Sequence, residues 1–200
     1  MKKLRVLVLF LLAASSISLT ASPTSSPDSV VRKLYQEVVA RKPLGIPKGA
    51  DRTAIWPYLS KALIQKLEVA QNCEDDYFRH HAGEGQKPEF GWLEFGLFSG
   101  ANERGIPAAA VVTRTEPQND GSFLVYVRLT YKESPETYGR TPTDANTSNW
   151  DVAAVVILES GRLVVDNVLL MNGDSTKVES RLTNSFSGCS GPHWVGDKDN

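Results

Sequence analysis

Two long apolar segments around residue 160 form the clearest pattern in the chain. Residues 152–158 and 163–170 are rich in β-branched side chains, and a Glu-Ser-Gly-Arg turn at residues 159–162 separates them. β-Branched side chains favour strands, and glycine accommodates the positive φ that tight hairpin turns need. The pattern therefore predicts a long, central β-hairpin. Because both segments are largely apolar at successive positions, we expect both faces to be covered, or one to be covered while the other lines a cavity.

Residues 123–131 alternate between apolar and more polar positions, which is typical of a strand with one face toward the core. The predicted core face comprises Phe123, Val125, Val127, Leu129 and Tyr131. A turn over residues 117–121 joins this strand to an apolar segment at residues 108–115, so we expect a second hairpin. The aromatic segment 90–98 predicts a first, irregular strand.

Two amphipathic helices are predicted before the strands. The first opens at residues 26–28, Ser-Pro-Asp, where serine can cap, proline fits the first helical position and aspartate complements the helix dipole. The second opens after Ser60, another good cap. Shorter helical segments are expected over residues 51–56 and 176–186. The apolar positions of the two long helices, at helical spacing, are Val30, Val31, Leu34, Tyr35, Val38, Val39, Leu63, Ile64, Leu67 and Ala70.

This order of elements predicts an α+β fold, in which N-terminal helices pack on one face of a curved, mostly antiparallel β-sheet. Residues 27–198 are expected to form a single domain, because a chain of this length can bury a sizeable core. Residues 22–26 are rich in serine, proline and threonine, and we expect this lead-in to be disordered.

Residues 1–21 have the layout of a secretory signal peptide, with lysine and arginine first, then a short apolar run, then small residues. The apolar run is too short to anchor the chain in a membrane, so we expect cleavage and a periplasmic or secreted location. Loss of the three cations lowers the formal net charge from −1 to −4. A mildly acidic protein is poorly suited to nucleic acid, and no later segment predicts a membrane span.

Cys73 and Cys189 are the two cysteines of the chain. In an oxidising compartment we expect them to form one disulfide that joins the middle of the chain to its tail. The alternative is a pair of unpaired buried thiols. Two distant cysteines supply too few ligands for a metal site, so neither a metal nor a cofactor is predicted.

Three segments carry a resemblance to a known group: residues 29–35 (SVVRKLY), residues 58–63 (YLSKAL) and residues 162–168 (RLVVDNV). They resemble the DUF3828 group of exported bacterial proteins, which is similar to the wider NTF2-like, cystatin-like cone superfamily. The likeness covers roughly residues 27–171. It implies a cone-shaped pocket between helices and sheet, and it implies no particular activity.

Residues 73–81 hold the densest cluster of polar functional groups. Asp76 and His80 are four apart and share a helical face, so they are candidates for general acid and base chemistry. His80 and His81 diverge by about 100° on a helix and do not converge on one metal ion. The alternative interpretation is the solvated end of a helix.

Asp166 is the one carboxylate within the apolar segments of the central hairpin, and it could point inward as a catalytic group. The alternative is a carboxylate at a solvated strand edge, or one paired with Arg162 or Arg128. NTF2-like enzymes place an acid or a His–Asp pair inside the cone. The predicted core face of residues 123–131 carries no such base, which departs from the enzymatic pattern.

Aromatic side chains are the candidates for a ligand pocket: Tyr35, Trp56, Tyr126 and Tyr131. The alternative is that they anchor the core. The favoured hypothesis is a non-catalytic exported domain that binds a small apolar ligand or a partner protein, through the concave sheet and the polar loop at residues 132–149. The alternatives are a cone lyase, isomerase or hydrolase that uses Asp76, His80 or Asp166, and a periplasmic immunity or inhibitor protein.

Overall fold

The structure is a computed structural model that describes residues 25–83, 90, 92–93, 95–102, 106–132, 147–172 and 177–195. The predicted signal peptide lies outside the described residues. Residues 22–24 of the lead-in and residues 133–146 of the polar loop lie outside them as well.

The secondary structure follows the predicted order of helices and then strands. The helices are α1 (Pro27–Arg41), α2 (Gly49–Ile55) and α3 (Lys61–His80). The strands are β1 (Phe95–Gly96), β2 (Ala101–Asn102), β3 (Ala109–Pro117), β4 (Phe123–Lys132), β5 (Thr147–Glu159), β6 (Arg162–Met171), β7 (Val178–Arg181), β8 (Cys189–Ser190) and β9 (His193–Trp194). Short 3-10 helices occupy Trp56–Tyr58 and Leu182–Phe186. Among the residues that the structure describes, no helix is both long and apolar enough to cross a membrane.

The main sheet has the strand order β3-β4-β5-β6-β7, and each neighbouring pair is antiparallel. Helices α1 and α3 pack against this sheet. The predicted α+β class, with helices on an antiparallel sheet, is therefore confirmed. The hairpin predicted around residue 160 is β5 and β6, and β5 is the middle strand.

The β5–β6 turn is tighter than the four-residue segment that the sequence suggested. Glu159 pairs with Arg162, so only Ser160 and Gly161 form the loop. Both have positive φ, 50° and 78° respectively. Positive φ at both central residues matches the right-handed twist of the flanking strands, which is the geometry that two-residue hairpins favour.

Both faces of the central hairpin are buried, as its sequence predicted. Ala154 belongs to the main core beneath the helices, and its neighbour Ala153 is equally inaccessible on the opposite face. Val125, Val127 and Leu129 of β4 lie in the main core too, which confirms the predicted core face of that strand. The helices thus cover one side of the sheet, and a smaller apolar cluster occupies the other.

The two long helices begin where their capping residues predicted. Ser26 Oγ accepts a hydrogen bond from the backbone N–H of Ser29 (3.2 Å), and Ser60 Oγ accepts one from Leu63 (3.0 Å). These bonds satisfy N–H groups that have no partner within the helix. Helix α2 begins at Gly49, two residues before the predicted segment.

Two predicted elements were wrong in part. Of the described residues between 90 and 98, only Phe95–Gly96 form a strand, which pairs with Ala101–Asn102 in a short hairpin. Residues 176–186 were predicted to be a helix, but Val178–Arg181 pair with β6 and only the following residues form a 3-10 helix. The free edge of β6 offers backbone hydrogen bonds to residues 178–181. The local sequence of these residues does not predict such bonds, so tertiary pairing overrides their helical propensity.

The predicted disulfide joins Cys73 of α3 to Cys189 of β8, with a Cα–Cα distance of 6.1 Å. Residues 182–195, called here the C-terminal segment, are thereby fixed along α3. Trp194 of β9 packs there edge-to-face on Tyr77 and Phe90, with ring centroids 5.6 Å and 4.6 Å apart.

We predict that replacing both cysteines by serine lowers the free energy of unfolding by about 2–5 kcal/mol, because the unfolded chain gains the freedom of a long loop. Chemical denaturation followed by Trp fluorescence measures the difference. A single Ser190→Ala change in the same strand serves as the control and is expected to leave the midpoint nearly unchanged. An unchanged midpoint in the double variant would contradict the prediction.

Candidate functional site

A cleft of about 400 Å³ lies between α1 and the edge strand β3. Its helix wall includes Tyr35, Val39 and Ala40, and its strand wall includes Ala109 and Ala110. Alanine is the smallest residue with a Cβ, so alanines on both walls leave space that larger apolar side chains would fill. The cone-shaped pocket that the resemblance implied between helices and sheet stays a prediction.

The inner wall of the cleft is formed by buried, mainly apolar side chains. Val127 of β4 and Tyr35 are both buried. The Tyr35 hydroxyl donates a hydrogen bond of 2.7 Å to the backbone carbonyl of Phe98, which fixes the orientation of the ring. Burial raises the pKa of Tyr35 well above its usual value, so this hydroxyl remains a donor at neutral pH.

Polar groups stand at the mouth of the cleft. Arg32 and Gln36 are four residues apart on α1, and both line the cleft. The Arg32 guanidinium lies 3.8 Å from the Asp28 carboxylate, which is a long ion-pair distance, and it is half exposed. Asp28 accepts a hydrogen bond from Thr115 of β3 as well. Arg32 therefore keeps donor groups for a polar part of a ligand.

The four aromatic residues predicted to bind a ligand do not share one site. Tyr35 lines the cleft, whereas Tyr126 lies in the cluster on the opposite face of the sheet. There the Arg114 guanidinium stacks 3.5 Å from the centre of the Tyr126 ring, and the Tyr126 hydroxyl donates to Glu116 (3.2 Å). The sequence could have predicted this position of Tyr126. Residue 126 lies between the core-facing positions 125 and 127, and successive side chains of a strand point to opposite faces.

Trp56 and Tyr131 lie outside the cleft lining as well. Trp56 packs at the edge of the main core beneath Arg52, whose guanidinium lies 5.3 Å from the ring centre. The Trp56 indole N–H is buried and has no hydrogen-bond partner among the residues that the structure describes. Tyr131 is half-buried near the end of β4. Of the four predicted ligand-binding residues, only Tyr35 lines this cleft.

Asp76 lies beside Arg79, His80 and His193 near the end of α3. Arg79 Nη1 and His80 Nδ1 each lie 3.4 Å from Asp76 Oδ1. His193 Nδ1, from the C-terminal hairpin β8–β9, lies 3.3 Å from Asp76 Oδ2. Sequence reasoning paired Asp76 with His80 but missed His193. The predicted disulfide could have revealed this contact. A bond between residues 73 and 189 brings Asp76 and His193, which follow them closely in sequence, near each other.

The pKa of Asp76 results from opposing effects. Burial raises the pKa of this carboxyl, whereas the hydrogen bond with His193 and the charge of His80 lower it. The backbone N–H of Trp194 lowers it further, and the pKa of Asp76 therefore lies below its usual value. Asp76 is ionised at neutral pH and acts as a fixed anion, so it is poorly suited to act as a general base.

Asp166 is far from this cluster. Its Oδ1 accepts a hydrogen bond of 2.6 Å from Ser60 Oγ, the cap of α3. Ser60 and Asp76 are sixteen residues apart along the helix, which corresponds to roughly 24 Å. The structure thus does not bring the three candidate catalytic residues, Asp76, His80 and Asp166, together.

The two arginines considered as partners of Asp166 have other contacts. Arg128 forms a two-pronged ion pair with Asp151, and Arg162 donates to the backbone carbonyl of Pro57 (2.9 Å). Among the described residues, no group of three or more His, Cys, Asp or Glu side chains could hold a metal ion.

No protein-family model matches the chain, and comparisons with curated proteins and with solved structures found no match. The function is therefore inferred from the geometry of the cleft and from the chemistry of the residues around it.

We predict that Asp76→Asn destabilises the fold at pH 7, because it removes the carboxylate that pairs with Arg79 and whose pKa is lowered in the folded state. A folded-state pKa below the usual value stabilises the protein above the usual pKa of aspartate, about 3.9, and the effect is lost as pH falls through the lower, folded-state pKa. The difference between the variant and the original protein should therefore shrink below about pH 4. Denaturation midpoints measured from pH 2 to pH 8 test this.

Asp75→Asn is the matched control, since Asp75 is exposed on the same helix. It is expected to change the midpoint little at any pH. A pH-independent difference for Asp76→Asn would contradict the role given to the charge.

Proposed function

We propose that this chain is an exported, non-catalytic α+β domain that binds a small, mainly apolar ligand in the cleft between α1 and β3. The observation that carries the proposal is the cleft itself, with apolar walls, alanines that leave space and polar groups at its mouth. Ligand pockets of about 300–1,000 Å³ that combine apolar lining with a few placed polar groups are the usual form of small-molecule sites.

Export is supported by two features. The pattern of residues 1–21 is that of a signal peptide, and Cys73 and Cys189 form a disulfide. Disulfides persist in oxidising compartments such as the periplasm or the extracellular space. A periplasmic or secreted location is thus part of the proposal.

The resemblance to NTF2-like proteins belongs to the proposal too. Helices on one side of an antiparallel sheet are the arrangement that this resemblance implies, and the α1–β3 cleft would correspond to the mouth of a cone. Tyr35, within the segment 29–35 that carries the resemblance, contributes its ring to the cleft.

A binding role has more support than catalysis. Asp76 and His80 lie at one end of α3 and Asp166 bonds to the cap at the other end, so these three candidates form no convergent acid and base set in the cleft. A partner or immunity protein would need roughly 800 Å² of surface on each side. The cleft is of the size for a small molecule and supports the ligand version of the proposal.

The proposal is tested with phenylnaphthylamine, a neutral apolar fluorescent probe, titrated into the folded protein. We expect saturable binding that Ala40→Trp weakens by about tenfold or more, because the indole would occupy the volume of the ligand. Ala40 is an exposed helical residue, so the substitution should be tolerated by the fold.

Lys33→Trp is the matched control, because Lys33 is exposed on α1 and lies outside the cleft lining. It should leave the affinity unchanged. Absence of saturable binding, or equal affinities of the two tryptophan variants, would overturn the proposal.

A further inference from the structure

A second groove, of about 540 Å³, runs between α3 and the C-terminal segment. Gln65, Lys66, Val69 and Ala70 line one wall; their spacing places them on one face of the helix. Phe186 and Cys189 contribute to the opposite wall. The groove shares no lining residue with the α1–β3 cleft.

The groove forms because the C-terminal segment is attached to α3 without filling the space between them. The Cys73–Cys189 disulfide joins the two walls, and the contact between Asp76 and His193 adds a second link. The small side chain of Ala70 leaves space between the walls. The groove is therefore framed by a covalent link, and its width does not depend on loop packing alone.

The chemistry of the groove is that of an apolar trough with one cation. Ala70 is buried, and Val69, at 36% exposure, presents an apolar surface to solvent beside it. The arginines Arg52 and Arg79 form ion pairs with Glu68 and Asp76 respectively. By contrast, in the part of the chain that the structure describes, Lys66 has no ion-pair partner.

We propose that this groove binds a small amphiphilic anion, a monocarboxylate with an alkyl or aryl tail. The tail would lie on Val69, Ala70 and Phe186, where its burial supplies affinity. The carboxylate would meet the Lys66 ammonium, with the Gln65 amide as a further donor. An unpaired cation beside apolar surface selects this class over neutral lipids and over cations, because each of those leaves the ammonium without a counter-charge.

The test compares decanoate with decanol, which share an alkyl tail, on the full chain by titration calorimetry below the concentration at which decanoate forms micelles. We expect decanoate to bind more tightly than decanol. Lys66→Gln should weaken decanoate by about fivefold, the effect of losing one partly exposed ion pair, and should leave decanol unchanged. Lys61→Gln, an exposed lysine on the same helix outside the groove, should change neither.

Two further variants separate this site from the α1–β3 cleft. Val69→Trp fills the groove and should abolish binding of decanoate, whereas Ala40→Trp, which fills the cleft, should leave it intact. Equal affinity for decanoate and decanol, no effect of Lys66→Gln, or loss of decanoate binding in Ala40→Trp but not in Val69→Trp would overturn the inference. None of these results would decide whether phenylnaphthylamine binds in the cleft.

Discussion

The fold depends on the anchoring of α3 at both of its ends by contacts between segments that are far apart in the chain. At the start of the helix, Ser60 donates its backbone N–H to the carbonyl of Val165 and its hydroxyl to Asp166. Toward the end, Cys73 is bonded to Cys189. The contacts of Ser60 attach the start of α3 to β6, with the apolar stripe of the helix in the core. The disulfide attaches β8 to the other end of α3.

Local chemistry accounts for what was predictable from the sequence. Ser26 and Ser60 act within three residues of their partners, and the alternation of β4 is a property of that strand alone. The disulfide was predictable because a chain with two cysteines allows one pairing. The β5–β6 hairpin was predictable because its partners are adjacent in sequence. The cone-shaped pocket that the resemblance implied stays a prediction.

Contacts over long sequence separations explain what was missed. The partner of Asp166 is Ser60, 106 residues earlier, and no local pattern joins them. The strand β7 forms because β6 has a free edge, whereas the sequence of residues 176–186 by itself reads as a helix. The groove along α3 was missed for the same reason. Its walls meet only after Cys189 has returned to the helix, so the stripe from Gln65 to Ala70 looks like an ordinary half-buried helical face.

The separation of 116 residues between the two cysteines has a consequence for biosynthesis. Cys73 leaves the ribosome long before its partner exists, so the nascent chain carries a lone thiol while the sheet strands are still being made. The side chain of Cys73 is inaccessible in the finished protein. The disulfide therefore has to form before the residues around Cys189 pack over Cys73. Because it also requires Cys189 to have been synthesised, it forms late and does not guide the early steps of folding.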